Sequence, residues 1–191
     1  MGFLFKQLAV AAAFAVMAMT ATASELADKL KLPNHALLMR HALAPGIGDP
    51  AGYSLADCGT QRNLDAQGRQ QAMRTGQWLK RQGIQTAMVL TSPWCRCKDT
   101  ASLLGYGQPE VEPAIGSFFE ASQEAADYTQ RLQKRLAQLG PTRGDKALIL
   151  VTHHVNILDY MGSHVGSGDM VLVQFDAHGK LISAKRYPSP L

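Results

Sequence analysis

The chain has 191 residues, 46% of them hydrophobic and 18% charged, with a formal net charge of +4 and three cysteines. That is enough apolar material for a domain with its own core, and no Pro/Gly-rich linker or internal repeat divides it. The positive excess is mild and scattered: Arg131, Lys134 and Arg135 fall at helical spacing as a solvated face. A nucleic-acid interface, which needs a basic stripe or stacking aromatics, is therefore not expected.

In chain order, Met1 to Ala23 reads as a secretory signal peptide, with one lysine (Lys6), an apolar stretch from Leu8 to Met19, and Ala21-Thr22-Ala23 as the cleavage site. The stretch is too short for a stable membrane anchor, which needs roughly 20 apolar residues. Cleavage would leave one domain, residues 24–191, secreted across the inner membrane and periplasmic in a Gram-negative cell. Losing Lys6 brings the net charge to +3.

Three short runs, Leu37–Met39, Met88–Thr91 and Ala147–Val151, are almost wholly apolar, as strands buried on both faces should be. Between the first two, Asp65 to Gln82 carries Ala72, Met73, Gly76 and Leu79 at helical spacing, with Asp65 suited to the start and Gly83 to the stop. Cys97 to Leu104 and Gln123 to Leu139 read as further helices, the second closed by Gly140-Pro141. Met170–Phe175 and Leu181–Lys185 flank the turn Asp176-Ala177-His178-Gly179 and form an antiparallel hairpin at the sheet edge, with His178 a solvent-exposed turn residue. The order predicts a three-layer α/β/α fold with a mostly parallel sheet.

Each central run ends at polar residues: Arg40-His41, Ser92 to Arg96, and Thr152-His153. If the runs are neighbouring parallel strands, Arg40, His41, Arg96 and His153 meet where open α/β sheets place their ligands. Two imidazoles and two guanidiniums make a pocket for an anion. The aperiodic loop Gly46 to Gly59 directly follows His41 and reads as an ordered flap over that pocket, with Tyr53 and Leu55 as its apolar contacts. In an oxidising compartment Cys58 on this flap would bridge to Cys95 or Cys97.

These motifs resemble the histidine phosphatase superfamily, which includes the phosphoglycerate mutases and acid phosphatases. Arg40-His41-Ala42 is similar to its Arg-His-Gly, and Ser92-Pro93-Trp94-Cys95-Arg96, with Thr100-Ala101, to its Ser-Pro-x-x-Arg-x-x-x-Thr-Ala. Arg62, Leu64, Gly68, Gln71 and Ala72 match a further motif, and Val151-Thr152-His153 the last. The resemblance implies a phosphomonoesterase with His41 as nucleophile, a phosphohistidine intermediate, and His153 donating to the phosphoryl oxygens. Arg40 and Arg96, with Arg62 a third, would clamp phosphate. Flanking cations would keep His41 unprotonated. Glu120 stands where many members carry the general acid, its neighbours Phe118 and Phe119 favouring a protonated form, with Asp57 and Asp49 as alternatives.

Ala42 departs from the family's glycine, and Ala44 from a threonine that contacts phosphate. Ser92 helps form the pocket or caps the following helix. His154 would point away if the strand continues. No cofactor or metal is required: His153 and His154 would point apart on a strand, and Cys95-x-Cys97 lacks zinc spacing. The expected partner is a small or surface-linked phosphorylated substrate, including phosphorylated envelope sugars. The alternative is a non-catalytic protein that keeps the pocket to bind phospho-ligands. The sequence leaves the oligomeric state open.

Overall fold

The three apolar runs lie side by side at the centre of one six-stranded sheet. In the computed structural model, which describes residues 24–190, β1 is His35–Arg40, β2 Ala87–Thr91, β3 Glu110–Val111, β4 Ala147–Thr152, β5 Met170–Phe175 and β6 Leu181–Tyr187. Their order is β3-β2-β4-β1-β5-β6. Pairings from β3 to β1 are parallel, and β1–β5 and β5–β6 are antiparallel, so the C-terminal hairpin extends the sheet on the far side of β1.

Successive residues of the central strands face opposite layers. Leu37, Met39, Ile149 and Val151 pack with Leu26, Leu30, Leu79 and Leu104 from one set of helices. Leu38, Leu148 and Leu150 pack with Leu132, Leu136 and Ile157 from the other. That two-sided burial is why these strands read as unbroken apolar runs rather than alternating ones. The first layer is α1 (Glu25–Lys31), α2 (Ala66–Arg81) and α3 (Cys95–Leu103); the second is α4 (Ala125–Thr142) and α5 (His154–Met161). None of the described helices is long and apolar enough to cross a membrane.

Local signals set most of the ends. The Asp65 side chain accepts from the Gly68 N–H to cap α2, and Gly83 follows the helix at φ +93°. Two expected boundaries move. α3 starts at Cys95 rather than Cys97, and α4 runs through Gly140-Pro141 to Thr142 instead of stopping there. Pro141 gives up the hydrogen bond to the Ala137 carbonyl and crowds it, yet only Thr142 follows it in the helix, and Gly140 is needed for packing: a Cβ there would fall 2.1 Å from the Pro33 carbonyl oxygen. The short elements α1, β3 and α5 go unannounced in the sequence, α5 because no breaker separates it from the strand before it. The expected signal segment, residues 1–23, lies outside the described residues.

Gly76 lets α2 and α3 touch, because a Cβ there would lie 2.2 Å from the Leu104 carbonyl oxygen. We expect Gly76→Ala to lower stability by about 3 kcal/mol despite alanine's better helix propensity. Urea unfolding of the two proteins measures it; an unchanged midpoint would show that the helices part without cost.

Candidate active site

The register fixes the site. Arg40 lies opposite Thr152 and Thr91 opposite Val151, so the residues that leave β1, β4 and β2 do so on one line. The His41 N–H donates to the Thr152 carbonyl at 3.0 Å, which carries the ladder one residue past the strand. Arg40, His41, Arg62, Arg96, Glu120 and His153 all line one cavity of about 160 Å³ there. That is well below the ~300 to 1,000 Å³ of sites that enclose a drug-sized ligand, so it suits a phosphoryl group with the rest of the substrate at the mouth.

His41 is buried, and its Nδ1 lies 2.7 Å from the Ala42 carbonyl oxygen. A carbonyl can only accept, so Nδ1 carries the proton and Nε2 keeps its lone pair. Burial first, opposed by that hydrogen bond and reinforced by Arg96, Arg40 and Arg62, pushes the His41 pKa down to about 3. The ring is neutral at physiological pH and poised as a nucleophile.

His153 is buried edge-on to His41, ring centroids 5.6 Å apart, and edge-on to Trp94 at 5.2 Å. Its Nδ1 is 3.5 Å from Arg96 Nη2, which can only donate, so Nε2 holds the proton and donates to Ser92 Oγ at 2.7 Å. Burial, then the neighbouring His41 and Arg96, drive its pKa far down as well. Ser92 therefore serves the site and not the helix: the N-cap of α3 is Trp94, with no side-chain cap.

Both strand-end arginines divide their donors alike. Arg40 Nη1 donates to the Val165 carbonyl at 2.9 Å, and Arg96 Nη1 donates to Asp49 at 2.8 and 3.1 Å. In each, Nε is buried with no protein acceptor. The Nε and Nη2 edge is the fork that matches two oxygens of a phosphoryl group. Arg62 is held differently, with Nε donating to the Gly48 carbonyl at 2.7 Å and Nη1 to that of Ala44, which ties the start of the flap around it.

The motif residues around these groups are braces. The Ala42 N–H donates to Thr100 Oγ1, which donates to the Arg96 carbonyl, joining the first motif to the second. Gln71 accepts from the Leu43 N–H and donates to the Ser167 carbonyl and Ser189 Oγ. Gly68 is a close approach, since a Cβ would lie 1.9 Å from the Leu43 carbonyl oxygen. Ala42 has no positive φ, so glycine is not required there.

The flap is pinned to α3. Cys58 is bonded to Cys95, which chooses between the two expected partners, and Gln61 accepts from the Cys95 N–H. The remaining thiol, Cys97, is buried, and burial pushes its pKa up to about 12. Tyr53 reaches the cavity and packs 6.2 Å from Trp94, whereas Leu55 is exposed and does not line it.

The three carboxylates separate clearly. Asp57 caps a short 3-10 turn through the Gly59 N–H and stays away from the cavity, which removes it as an acid. Asp49 faces the cavity but spends both oxygens on Arg96, Trp94 Nε1 and the Arg62 N–H. Glu120 lies at the solvent-exposed mouth, one oxygen 3.5 Å from the Asp49 N–H. His154 corrects the sequence reading: the strand ends at Thr152, His154 opens α5, and its half-buried ring lines the cavity beside Phe119.

Residues 36–117 match the histidine phosphatase superfamily (branch 1). That segment, which carries Arg40, His41, Arg62 and Arg96, is similar to the histidine phosphatase superfamily. Solved structures with the same fold include the protein histidine phosphatase SixA complexed with tungstate, at 18% identity and TM-score 0.55 over 81% of this chain and 97% of that one. Phosphoserine phosphatase from Entamoeba histolytica with 3-phosphoglyceric acid aligns at 16% identity and TM-score 0.55, over 78% and 93% of the two chains. A mycobacterial glucosyl-3-phosphoglycerate phosphatase complexed with VO3 does so at 16% and 0.56, over 74% and 92%. No curated protein matches the chain by sequence. His153 lies beyond the matched segment, and its place in the site comes from the geometry.

Because the folded pKa of His41 lies below the ordinary 6.5, the unfolded chain binds a proton there that the native protein refuses. The sign follows: full stability above about pH 6.5, then progressive loss as pH falls toward 3. At pH 5 this one group costs roughly 2 kcal/mol. His41→Gln should remove that share, which urea midpoints at pH 7 and pH 5 would show as a smaller acid loss than in the parent.

Proposed function

We infer that the protein is an exported phosphomonoesterase working through a phosphohistidine, with a phosphorylated sugar or envelope component as substrate. The observation that carries the reading is the fixed tautomer of His41, whose free Nε2 lone pair shares a cavity with two arginines whose Nε atoms have no protein acceptor. A phosphomonoester resists attack because its charge repels the nucleophile, and the guanidiniums of Arg40 and Arg96 offset that charge while aligning phosphorus on Nε2.

His41 Nε2 forms the bond to phosphorus as the bond to the leaving oxygen breaks, and Glu120 at the mouth supplies the proton that oxygen needs. The resulting Glu120 carboxylate then takes a proton from water, whose oxygen attacks phosphorus. The phosphorus–nitrogen bond breaks, phosphate leaves, and His41 recovers its lone pair. His153 packs beside His41 from the neighbouring strand; its one N–H goes to Ser92 and its Nδ1 accepts from Arg96, so in this arrangement it holds Arg96 in the site and does not itself donate to the phosphoryl oxygens.

Export is supported by the signal-like residues 1–23 and by the Cys58–Cys95 bond, which persists in oxidising compartments. Three fold neighbours act on three different phosphorylated molecules, so they support the reaction type and leave the substrate to the mouth of the cavity. Walls of Tyr53, Trp94 and Phe119 beside Glu120 and His154 offer faces for a ring and polar groups for its hydroxyls.

Hydrolysis of p-nitrophenyl phosphate by residues 24–191, across pH 4 to 8 with chelator present, tests the reading. Activity should survive the chelator, vanish in His41→Ala, and fall roughly 10²- to 10³-fold in Arg96→Ala. Folded protein that binds phosphate without turning it over, against a panel of phosphosugars as well, would favour the binding protein instead.

A further inference from the structure

Asp49 is the one carboxylate buried among the cations of the site. Its side chain is 5% exposed and that of Arg96 is 3% exposed. Its oxygens accept from Arg96 Nη1 twice, from the indole N–H of Trp94 at 3.1 Å and from the Arg62 N–H at 2.9 Å. Both oxygens are acceptors in these contacts, which leaves no proton for a leaving group. The remaining donors of Arg96 are Nη2, turned to His153, and Nε, which has no protein acceptor.

We propose that Asp49 is a positioning residue: by taking Nη1 of Arg96 it presents the Nε and Nη2 fork to the phosphoryl group, so that seating the flap assembles the phosphate site. The proposal rests on the phosphatase reading above and adds what orients its second arginine. An arginine can offer an oxyanion any of three edges, and only one matches a given phosphoryl position. Arg40 shows the same division with a backbone carbonyl, that of Val165, where Arg96 has the carboxylate. A carboxylate standing in for phosphate would take the Nε and Nη2 edge; Asp49 takes Nη1 and leaves Nε without a protein acceptor. The residue also belongs to the flap, its N–H facing Glu120 at 3.5 Å and its side chain bracing Arg62, so one group registers the loop, the second arginine and the mouth together.

The test is vanadate binding by titration calorimetry, beside p-nitrophenyl phosphate kinetics, for the parent, Asp49→Asn, Arg96→Ala and the double variant. In Asp49→Asn the vanadate Kd should rise about tenfold, the loss expected for one charge-assisted contact, with kcat/KM falling in step and the melting temperature and disulfide kept. In the Arg96→Ala background the same change should cost clearly less than in the parent, because the larger part of Asp49's effect runs through Arg96. An unchanged Kd, a tighter one as for a blocking anion, or equal losses in both backgrounds would overturn the proposal. If Asp49→Asn does not fold, Asp49→Glu, which keeps the charge but moves it one methylene, should weaken vanadate likewise, and parental affinity there would overturn it. A parent protein that neither binds vanadate nor hydrolyses ester defeats the phosphatase reading itself, whereas a competent parent with an indifferent Asp49→Asn defeats only this inference.

Discussion

Positive charge crowded against the carboxyl ends of three parallel strands is the constraint on which the rest of the site depends. Arg40, Arg62 and Arg96 approach two buried imidazoles with one buried carboxylate among them. Unliganded, such a cluster would push itself apart if every group were charged. The histidines answer by staying neutral, for the reason that leaves His41 a free lone pair: burial and nearby guanidiniums both oppose its protonation. The arginines keep their charge and divide their donors, one end to the protein and one edge to the ligand. The free imidazole lone pair and the electrostatic relief are one arrangement.

Holding that arrangement in place falls to the segments that sequence patterns leave irregular. The flap has no periodic structure of its own, yet it is fixed at Cys58 by a disulfide, at Gln61 by the Cys95 backbone, at Arg62 by two of its own carbonyls, and at Asp49 by Arg96. All four anchors converge on Arg62 or on the first residues of α3. A flap loosened at one point therefore disturbs an arginine of the site, not only a surface loop.

The sequence made the frame legible where burial imposes a pattern. Leu37–Met39, Met88–Thr91 and Ala147–Val151 had to be strands covered on both faces, and their polar ends had to meet. Arg40, His41, Arg96 and His153 were visible on that ground, and Gly68 and Gln71 through their motif. What stayed hidden depends on tertiary direction. His154 looked outward on an extended strand because nothing in Val151 to Val155 says that the chain turns helical; only the structure shows the ring swinging onto the cavity. Asp49 could be read as a spare acid because a flap residue's partner is set by how the loop folds back, which no local spacing records. Pro141 misled because the helix carries it one residue before its end, while Gly140 is set by packing against Pro33.

The same reasoning explains why the braces are polar and buried rather than apolar. Thr100, Ser92 and Gln71 each satisfy backbone or ring groups that the strand ends would otherwise leave unpaired in the interior, and an unmet buried donor costs on the order of 1 to 3 kcal/mol. An apolar core fixes where a strand lies but not which way a guanidinium or an imidazole points; directional bonds do that. The two leucine-rich layers beneath supply the stability from which a site with unsatisfied Nε atoms and uncharged histidines can draw. In this fold the hydrophobic sheet decides where the cavity lies, and a short list of hydrogen bonds, ending at Ala42, Asp49 and Val165, decides which atoms are left free of protein partners beside it.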